Sequence, residues 1–420
     1  MRSRPMPSPA ALEGTGARSG PRILITHGWA LGTPSGVARH VRELARALAE
    51  LGAEVTVLCV STASYSGFPR PALPAAFEGR EIEQELSALG VEVLRVAPHP
   101  LHWTLDGRSV RRAVERLLAD RPLDAVLGFF NEAAYLPELL RGRGVRFGYL
   151  ATWLSYRMAL SGERTGRGPR GAWLRSANRR LVVEPYRAAE ILFANSEFTR
   201  AELVDVVGCD PARIRIAYLG VRDLFHRIPR ATPERIARVL FFGRLVREKG
   251  IGDALAVLGR LARGGRRFEL RVVGSGNVEH VRGLVREHAL EGRVTILAHQ
   301  GDAGLCEELR RAQLALLPSH SESFGLSIAE AQAAGLPVVA YRAGSVPEVV
   351  EDGRTAWLVP VGDLDGLAEA LESAFSDPEE CHRRGLAGRE RVGRLFRWER
   401  TARCILDGFA GLDEAAKRAA

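Results

Sequence analysis

The chain has 420 residues, 46% of them hydrophobic and 26% charged, with a formal net charge of +9. A chain of that length and ordinary composition makes two domains, each large enough for its own core, and no apolar run approaches the ~18 residues a membrane-spanning helix needs. Five cysteines without paired spacing (Cys59, Cys209, Cys306, Cys381, Cys404) argue against a zinc site or a disulfide framework and for a reducing compartment.

Residues 1–20 are rich in Pro, Gly, Ser and Arg and lack an apolar core, so they read as a disordered tail rather than a signal peptide. Arg22 to Thr26 starts the first strand. His27 to Gly36 is a loop with Gly28, Gly32 and Gly36, and Val37, Val41, Leu44, Leu48 and Leu51 then recur at helical spacing. Gly52 stops that helix and Glu54 to Val60 is the next strand, a Rossmann-like opening. Its Ser35-Gly36 step reads either as a contact to a donor diphosphate or an acceptor, or as a tight turn without a ligand. Residues 61–80 read as a surface loop. After a strand over Val91 to Val96, His99 and His102 sit in a Pro-rich loop and read as solvent or packing residues rather than catalysts. A helix follows over Ser109 to Ala119. Strands over Asp124 to Phe130 and Phe147 to Ala151 then end at Asn131-Glu132 and Thr152-Trp153.

Between Arg164 and Arg187 lie seven arginines and one acid, Glu184, with Trp173, Leu174, Leu181 and Val182 interleaved. Two readings stand: a basic amphipathic surface for anionic lipid or an anionic acceptor, and a helix with its apolar face inward and its arginines solvated. The basic balance fits either. It also fits nucleic acid in principle, but no aromatic-and-basic RNA-recognition signature is present, so nucleic acid is set aside. Ile191 to Asn195 is a strand, Glu197 to Val207 a helix capped by Ser196, and Ile214 to Tyr218 a strand. Pro229 and Pro233 mark a linker. The expected division is 21–228 for the first domain, 229–236 for the linker, 237–395 for the second domain and 396–420 for a terminal helix.

In the second domain strand and helix alternate, as in a parallel sheet covered on both faces. Val239 to Phe242 is a strand, followed by Gly243 and a loop carrying Arg244 and Lys249. Arginine offers phosphate a fork of donors and lysine a point charge. Phe268 to Val273 is a strand ending in Gly274-Ser275-Gly276, where small residues let backbone N–H groups approach an anion. Ala315 to Pro318 leads into the stretch Ser319 to Ala340, which carries Glu322 and Glu330 with seven residues between them. Glu322 falls in the loop at a strand's carboxyl end, where open α/β sheets hold ligands, and Glu330 lies about two helical turns on. Two carboxylates so spaced do not share one proton. They suit the hydroxyls of an elongated polar ligand, and with the cations they describe a nucleotide sugar.

The series F-G-R-L-x-x-x-K-G, G-S-G, E-x-F-G-L and E-A-x-A-A-G-L-P-V-V-A resembles the retaining family 4 glycosyltransferases of the GT-B fold, across roughly Val239 to Pro360. Ala194 to Thr199 is similar to that family as well. The resemblance implies an α/β chain of two Rossmann-like domains whose parallel sheets face across a cleft, with the terminal helix crossing back to the first domain. It also implies transfer of a sugar from a nucleoside diphosphate to a hydroxyl acceptor. Arg244 and Lys249 would stabilise the departing diphosphate, Glu322 would hold the sugar hydroxyls and Glu330 the ribose. Gly243, Gly274, Ser275, Gly276, Phe324, Gly325 and Leu326 would bring backbone amides to the phosphates. Retention is described there as same-face attack, the leaving phosphate accepting the acceptor's proton.

The chain departs from the family in its first domain, where relatives carry a histidine at a strand end near the donor sugar. Asn131, Glu132, Thr152 and Trp153 stand nearest to that place here. A different acceptor, a dispensable histidine and a protein that binds nucleotide sugar without turnover all fit this departure. Asp363-Leu364-Asp365 opens an amphipathic helix and reads as a cap rather than a metal ligand, so no metal and no cofactor is expected. A sugar synthase or phosphorylase on the same fold is the nearest rival enzyme. A pyridoxal-phosphate enzyme lacks its lysine environment, and no G-x-G-x-x-G supports a nicotinamide dehydrogenase. The expected location is cytoplasmic, on the inner face of the membrane if the basic segment docks there.

Overall fold

The computed structural model describes residues 20–33, 36–62, 79–99, 105–151, 183–298 and 300–419. Nearly all of the expected tail and of the 61–80 loop, as well as Ser35, His102, Thr152-Trp153 and residues 164–182 of the arginine-rich segment, lie outside them. Short runs of aliphatic and β-branched residues form two parallel sheets, their central strands buried on both faces. In the first, β1 (Arg22–His27), β2 (Glu54–Val60), β3 (Glu92–Val96), β4 (Ala125–Gly128), β5 (Arg146–Ala151), β6 (Ile191–Ala194) and β7 (Ile214–Ile216) lie in the order β3-β2-β1-β4-β5-β6-β7. In the second, β8 (Arg238–Phe242), β9 (Glu269–Val273), β10 (Val294–Leu297), β11 (Leu314–Leu317), β12 (Val338–Tyr341) and β13 (Ala356–Val359) lie in the order β10-β9-β8-β11-β12-β13. The order reverses once in each sheet, between β1 and β4 and between β8 and β11, which creates a ligand crevice beyond the carboxyl ends there.

Several elements end earlier than their sequence pattern, β6 at Ala194 rather than Asn195 and β7 at Ile216 rather than Tyr218 among them. β4 stops at Gly128 rather than Phe130 because Glu132 turns the chain. Its Oε1 accepts from the N–H of Phe129 at 3.4 Å and of Phe130 at 3.1 Å, and a 3-10 turn follows over Asn131–Ala133. The helix that Ser196 caps, through Oγ accepting from Thr199 N, is α-helical only over Glu197–Glu202 and continues as a π turn over Leu203–Val207.

The two sheets are tied together by the chain itself. Leu219, Val221, Phe225 and Ile228 pack into the second core, and Arg230 donates to the carbonyls of Ala334 at 2.6 Å and Ala312 at 2.8 Å. The terminal helix Trp398–Ala419 returns to the first domain, where Ala402, Ile405 and Phe409 join the core beneath β1 and β6. Its fit is close: a Cβ on Gly148 would stand 2.7 Å from the Phe409 ring, and one on Gly220 2.2 Å from the Trp398 nitrogen.

Candidate active site

The loops after β8, β9 and β11 converge on the second crevice. Gly274 is there because the Gly243 carbonyl is: a Cβ would lie 1.8 Å from that oxygen. Gly276 (φ +145°) lies against Leu245, whose N–H donates to the Ser275 carbonyl at 2.8 Å. The following helix, Val278–Glu287, is capped by Asn277, whose Oδ1 accepts from His280 N at 3.0 Å. Glycines expected to make room for an anion thus also make room for backbone. Gly250 (φ +72°) obeys the same logic, its missing Cβ falling 1.8 Å from the Pro318 carbonyl. That contact brings the Lys249 loop onto the loop bearing Glu322.

Lys249 Nζ donates to Glu322 Oε1 at 2.5 Å, with the two side chains 21% and 10% exposed. The Glu322 backbone is held from the other side, its carbonyl accepting from Ser345 N at 3.1 Å. Gly344 (φ +53°) permits this, since a Cβ would stand 2.1 Å from the Glu322 oxygen. Asp253 ties down the same loop. Its Oδ2 accepts from Tyr341 OH at 2.7 Å and lies 2.8 Å from His320 Nε2. Gly325 (φ +90°) then turns the chain into the helix Leu326–Ala333. Phe324 is buried, its ring 5.3 Å from that of Phe396. Arg244 lies exposed at the rim of this crevice.

Glu330 is buried on the same helix. Burial pushes its carboxyl pKa up, and a guanidinium from the other domain opposes this. Arg39, on the first helix (Gly36–Glu50), donates through Nη1 to Glu330 Oε1 at 2.5 Å, and its Nη2 lies 3.8 Å from Asp302. Asp302 pairs with Arg222, which reaches Glu43 at 3.2 Å. Burial pushes Asp302 up, but Arg222 and Arg39 hold its pKa below the usual carboxylate value.

A second set of contacts joins the domains, where Ser196 Oγ donates to the Ser323 carbonyl at 2.6 Å. Glu348 accepts from Glu197 N at 2.7 Å, Phe198 N at 2.8 Å and Tyr218 OH at 3.0 Å.

The first domain contributes a different set of groups. His27 at the end of β1 and His40 on the first helix are fully buried, and burial pushes both pKa values down to about 3. Their rings edge against Phe129 at 6.3 and 5.2 Å. Burial pushes Glu132 up to about 7, although the N–H groups of Phe130 and Phe129 and the Thr26 hydroxyl oppose it. Asn131 is buried in the turn beyond β4, and Gly36 opens the first helix. Among the sequence candidates, the structure brings together Lys249, Glu322, Gly243, Gly274, Ser275 and Gly276, with Glu330 two turns away. The sequence reading missed Arg39, Asp302, Arg222, Asp253 and Glu348. The one available signal was a first helix with Arg39, Arg42 and Arg46 at i, i+3 and i+7, on the face opposite its apolar stripe. Asp363 Oδ1 accepts from Gly366 N at 2.9 Å, a helix cap, and Asp365 pairs with Arg260.

Residues 225–391 match the family described as glycosyl transferases group 1, and residues 35–220 match the glycosyl transferase 4-like domain. The glycogen synthase of Mycobacterium tuberculosis is 30% identical over 390 residues, covering 87% of this chain and 89% of its own. A D-inositol 3-phosphate glycosyltransferase of Kribbella flavida is 29% identical over 418 residues, covering 90% and 91%. Among solved structures, a sucrose-phosphate synthase from Thermosynechococcus elongatus superposes with a TM-score of 0.74 at 22% identity, over 94% of this chain and 100% of that one. Anabaena Alr3699/HepE, solved with UDP and glucose, superposes with a TM-score of 0.71 at 17% identity, over 92% and 99%. Both superpositions concern the fold, and the fold is GT-B.

Proposed function

The chain belongs to the group 1 glycosyl transferases, and from that premise we propose that it is a retaining, metal-independent enzyme moving a sugar from a nucleoside diphosphate to a hydroxyl acceptor. The observation that carries this reading is the Lys249–Glu322 pair at the carboxyl ends of β8 and β11, with Glu330 on the helix behind it. Lys249 and Arg244 face the diphosphate. Glu322 takes the sugar hydroxyls and Glu330 the ribose. The glycosidic bond from C1 to the phosphate oxygen breaks and its electron pair stays on the diphosphate. The acceptor oxygen bonds C1 on the same face, and its proton passes to that phosphate. The side chains stabilise the developing charge and need not form a covalent intermediate. One such positioned donor supplies roughly 3–4 kcal/mol.

UDP and UDP-glucose are the ligands of the solved Anabaena protein, which supports a uridine nucleotide as the first donor to test. The experiment is calorimetric titration with UDP, ADP and GDP on wild type and Glu330→Ala, followed by measurement of nucleoside diphosphate release from the matching sugar donors with hydroxyl acceptors. Selective binding lost in the variant, with acceptor-dependent release, is the expected result. Binding without release under any acceptor would leave a nucleotide-sugar-binding protein, and no binding would remove the donor-site assignment.

A further inference from the structure

Glu330 has a side chain only 5% exposed, and part of its cover comes from the opposite domain. Arg39, itself 17% exposed, reaches across the cleft to Glu330 Oε1 at 2.5 Å. Behind it the charges alternate: Arg39 with Asp302, Asp302 with Arg222, and Arg222 with Glu43. Arg39 and Glu43 belong to the first helix, while Glu330 and Asp302 belong to the second domain, so the network bridges the mouth of the cleft. Arg42, one turn on, is held by the Leu31 carbonyl at 3.3 Å and keeps a second cation on the same face.

A ribose diol that donates to a carboxylate needs an open approach to its oxygens. At 5% exposure Glu330 offers no face wide enough for a sugar ring, and the group on its Oε1 is the Arg39 guanidinium. The contact gives the buried carboxylate a charged partner.

We propose that Arg39 is a donor-displaced latch: it closes the cleft by occupying the ribose carboxylate Glu330, and the nucleotide enters by replacing it. The proposal rests on the reading of Glu330 as the ribose ligand. It follows that apparent nucleotide affinity is lowered by the fraction of molecules that are latched, because only the released form binds. A free phosphate, with no diol to offer Glu330, has nothing with which to replace Arg39 there.

The test is titration of the full chain with the tightest binder among UDP, ADP and GDP, and with its 2′,3′-dideoxy counterpart. Arg39→Met keeps the apolar stem and drops the charge. It is expected to tighten the nucleotide by about tenfold, the gain from abolishing a latched population of about 90%. Unchanged or weaker binding in Arg39→Met overturns the latch. If that variant fails to fold, Arg39→Gln carries the same two outcomes. The ribose reading is checked on wild type. Equal binding of the dideoxy compound overturns the role of Glu330 and the latch with it. Weakened dideoxy binding together with an unchanged Arg39→Met affinity overturns the latch alone. Absence of binding by all three nucleotides to both proteins overturns both.

Discussion

Replacing Lys249 by alanine should separate catalysis from folding. Lys249 Nζ sits 2.5 Å from Glu322 Oε1, and both side chains are largely withdrawn from water. Truncation leaves the Glu322 carboxylate without its cation, which costs roughly 1–3 kcal/mol of stability for an unsatisfied, mostly buried group. The loop itself stays in place, because the Glu322 carbonyl is still held by Ser345 and His320 by Asp253. Loss of one positioned cation facing the leaving diphosphate costs a further ~2.7–4 kcal/mol in the transition state, or roughly 10²–10³ in turnover. The assay is nucleoside diphosphate release under saturating donor, run beside thermal melting. The expected pattern is a small fall in Tm, a large fall in kcat and a lesser change in donor KM. The double variant Lys249→Ala/Glu322→Ala should recover part of the stability and none of the activity. Wild-type kcat in Lys249→Ala, with the protein folded, would refute the assignment of this pair to the reaction.

Acidification should destabilise the first domain through its buried histidines. The unfolded chain protonates His27 and His40 near the ordinary 6.5, while burial in the fold holds both down to about 3. Their contribution is complete above pH 6.5 and is lost as pH falls toward 3. Glu132, pushed up to about 7, works oppositely above its ordinary 4.5, as do Glu43 and Glu330, which burial also raises, so the histidines lower Tm unopposed by these carboxyls only below pH 4.5. His40→Leu should flatten the fall of Tm between pH 4.5 and 3, and an unchanged slope there in that variant would contradict it. Glu348→Ala, which strands the N–H groups of Glu197 and Phe198, should lower stability by about 1–3 kcal/mol in denaturant titration and open the domains in small-angle scattering. Gly250→Ala places a Cβ 1.8 Å from the Pro318 carbonyl at a positive φ, so it should melt earlier and lose turnover together, as the Lys249 loop is driven off Glu322. Turnover should persist in EDTA. Loss restored by a divalent ion would overturn the metal-independent reading.

The sequence by itself determined the strands and their parallel arrangement, and it put Lys249, Glu322 and Glu330 beyond strand ends on one side of the second sheet. Runs such as Val239 to Phe242 and Leu314 to Leu317 are continuous apolar segments that only a sheet covered on both faces can bury, and each ends in glycine, proline or charge. Lys249, Glu322 and Glu330 were legible because they lie within or beside such segments, where local spacing gives their place. Residues whose role is set across the cleft were not legible. Arg39 and Glu330 are 291 positions apart, and the row of arginines on the first helix does not by itself say which of them meets the other domain. The same holds for Glu348, whose carboxylate receives the start of a helix some 150 residues earlier. His40, at the edge of the apolar stripe, and Glu43, beyond it on the polar side, are both buried, because Trp398 of the terminal helix packs on His40 and Arg222 reaches Glu43. Periodicity records which face of an element is apolar. Which polar face is then covered is decided by the return of the chain end and by how the two domains close, and those are properties of the assembled fold.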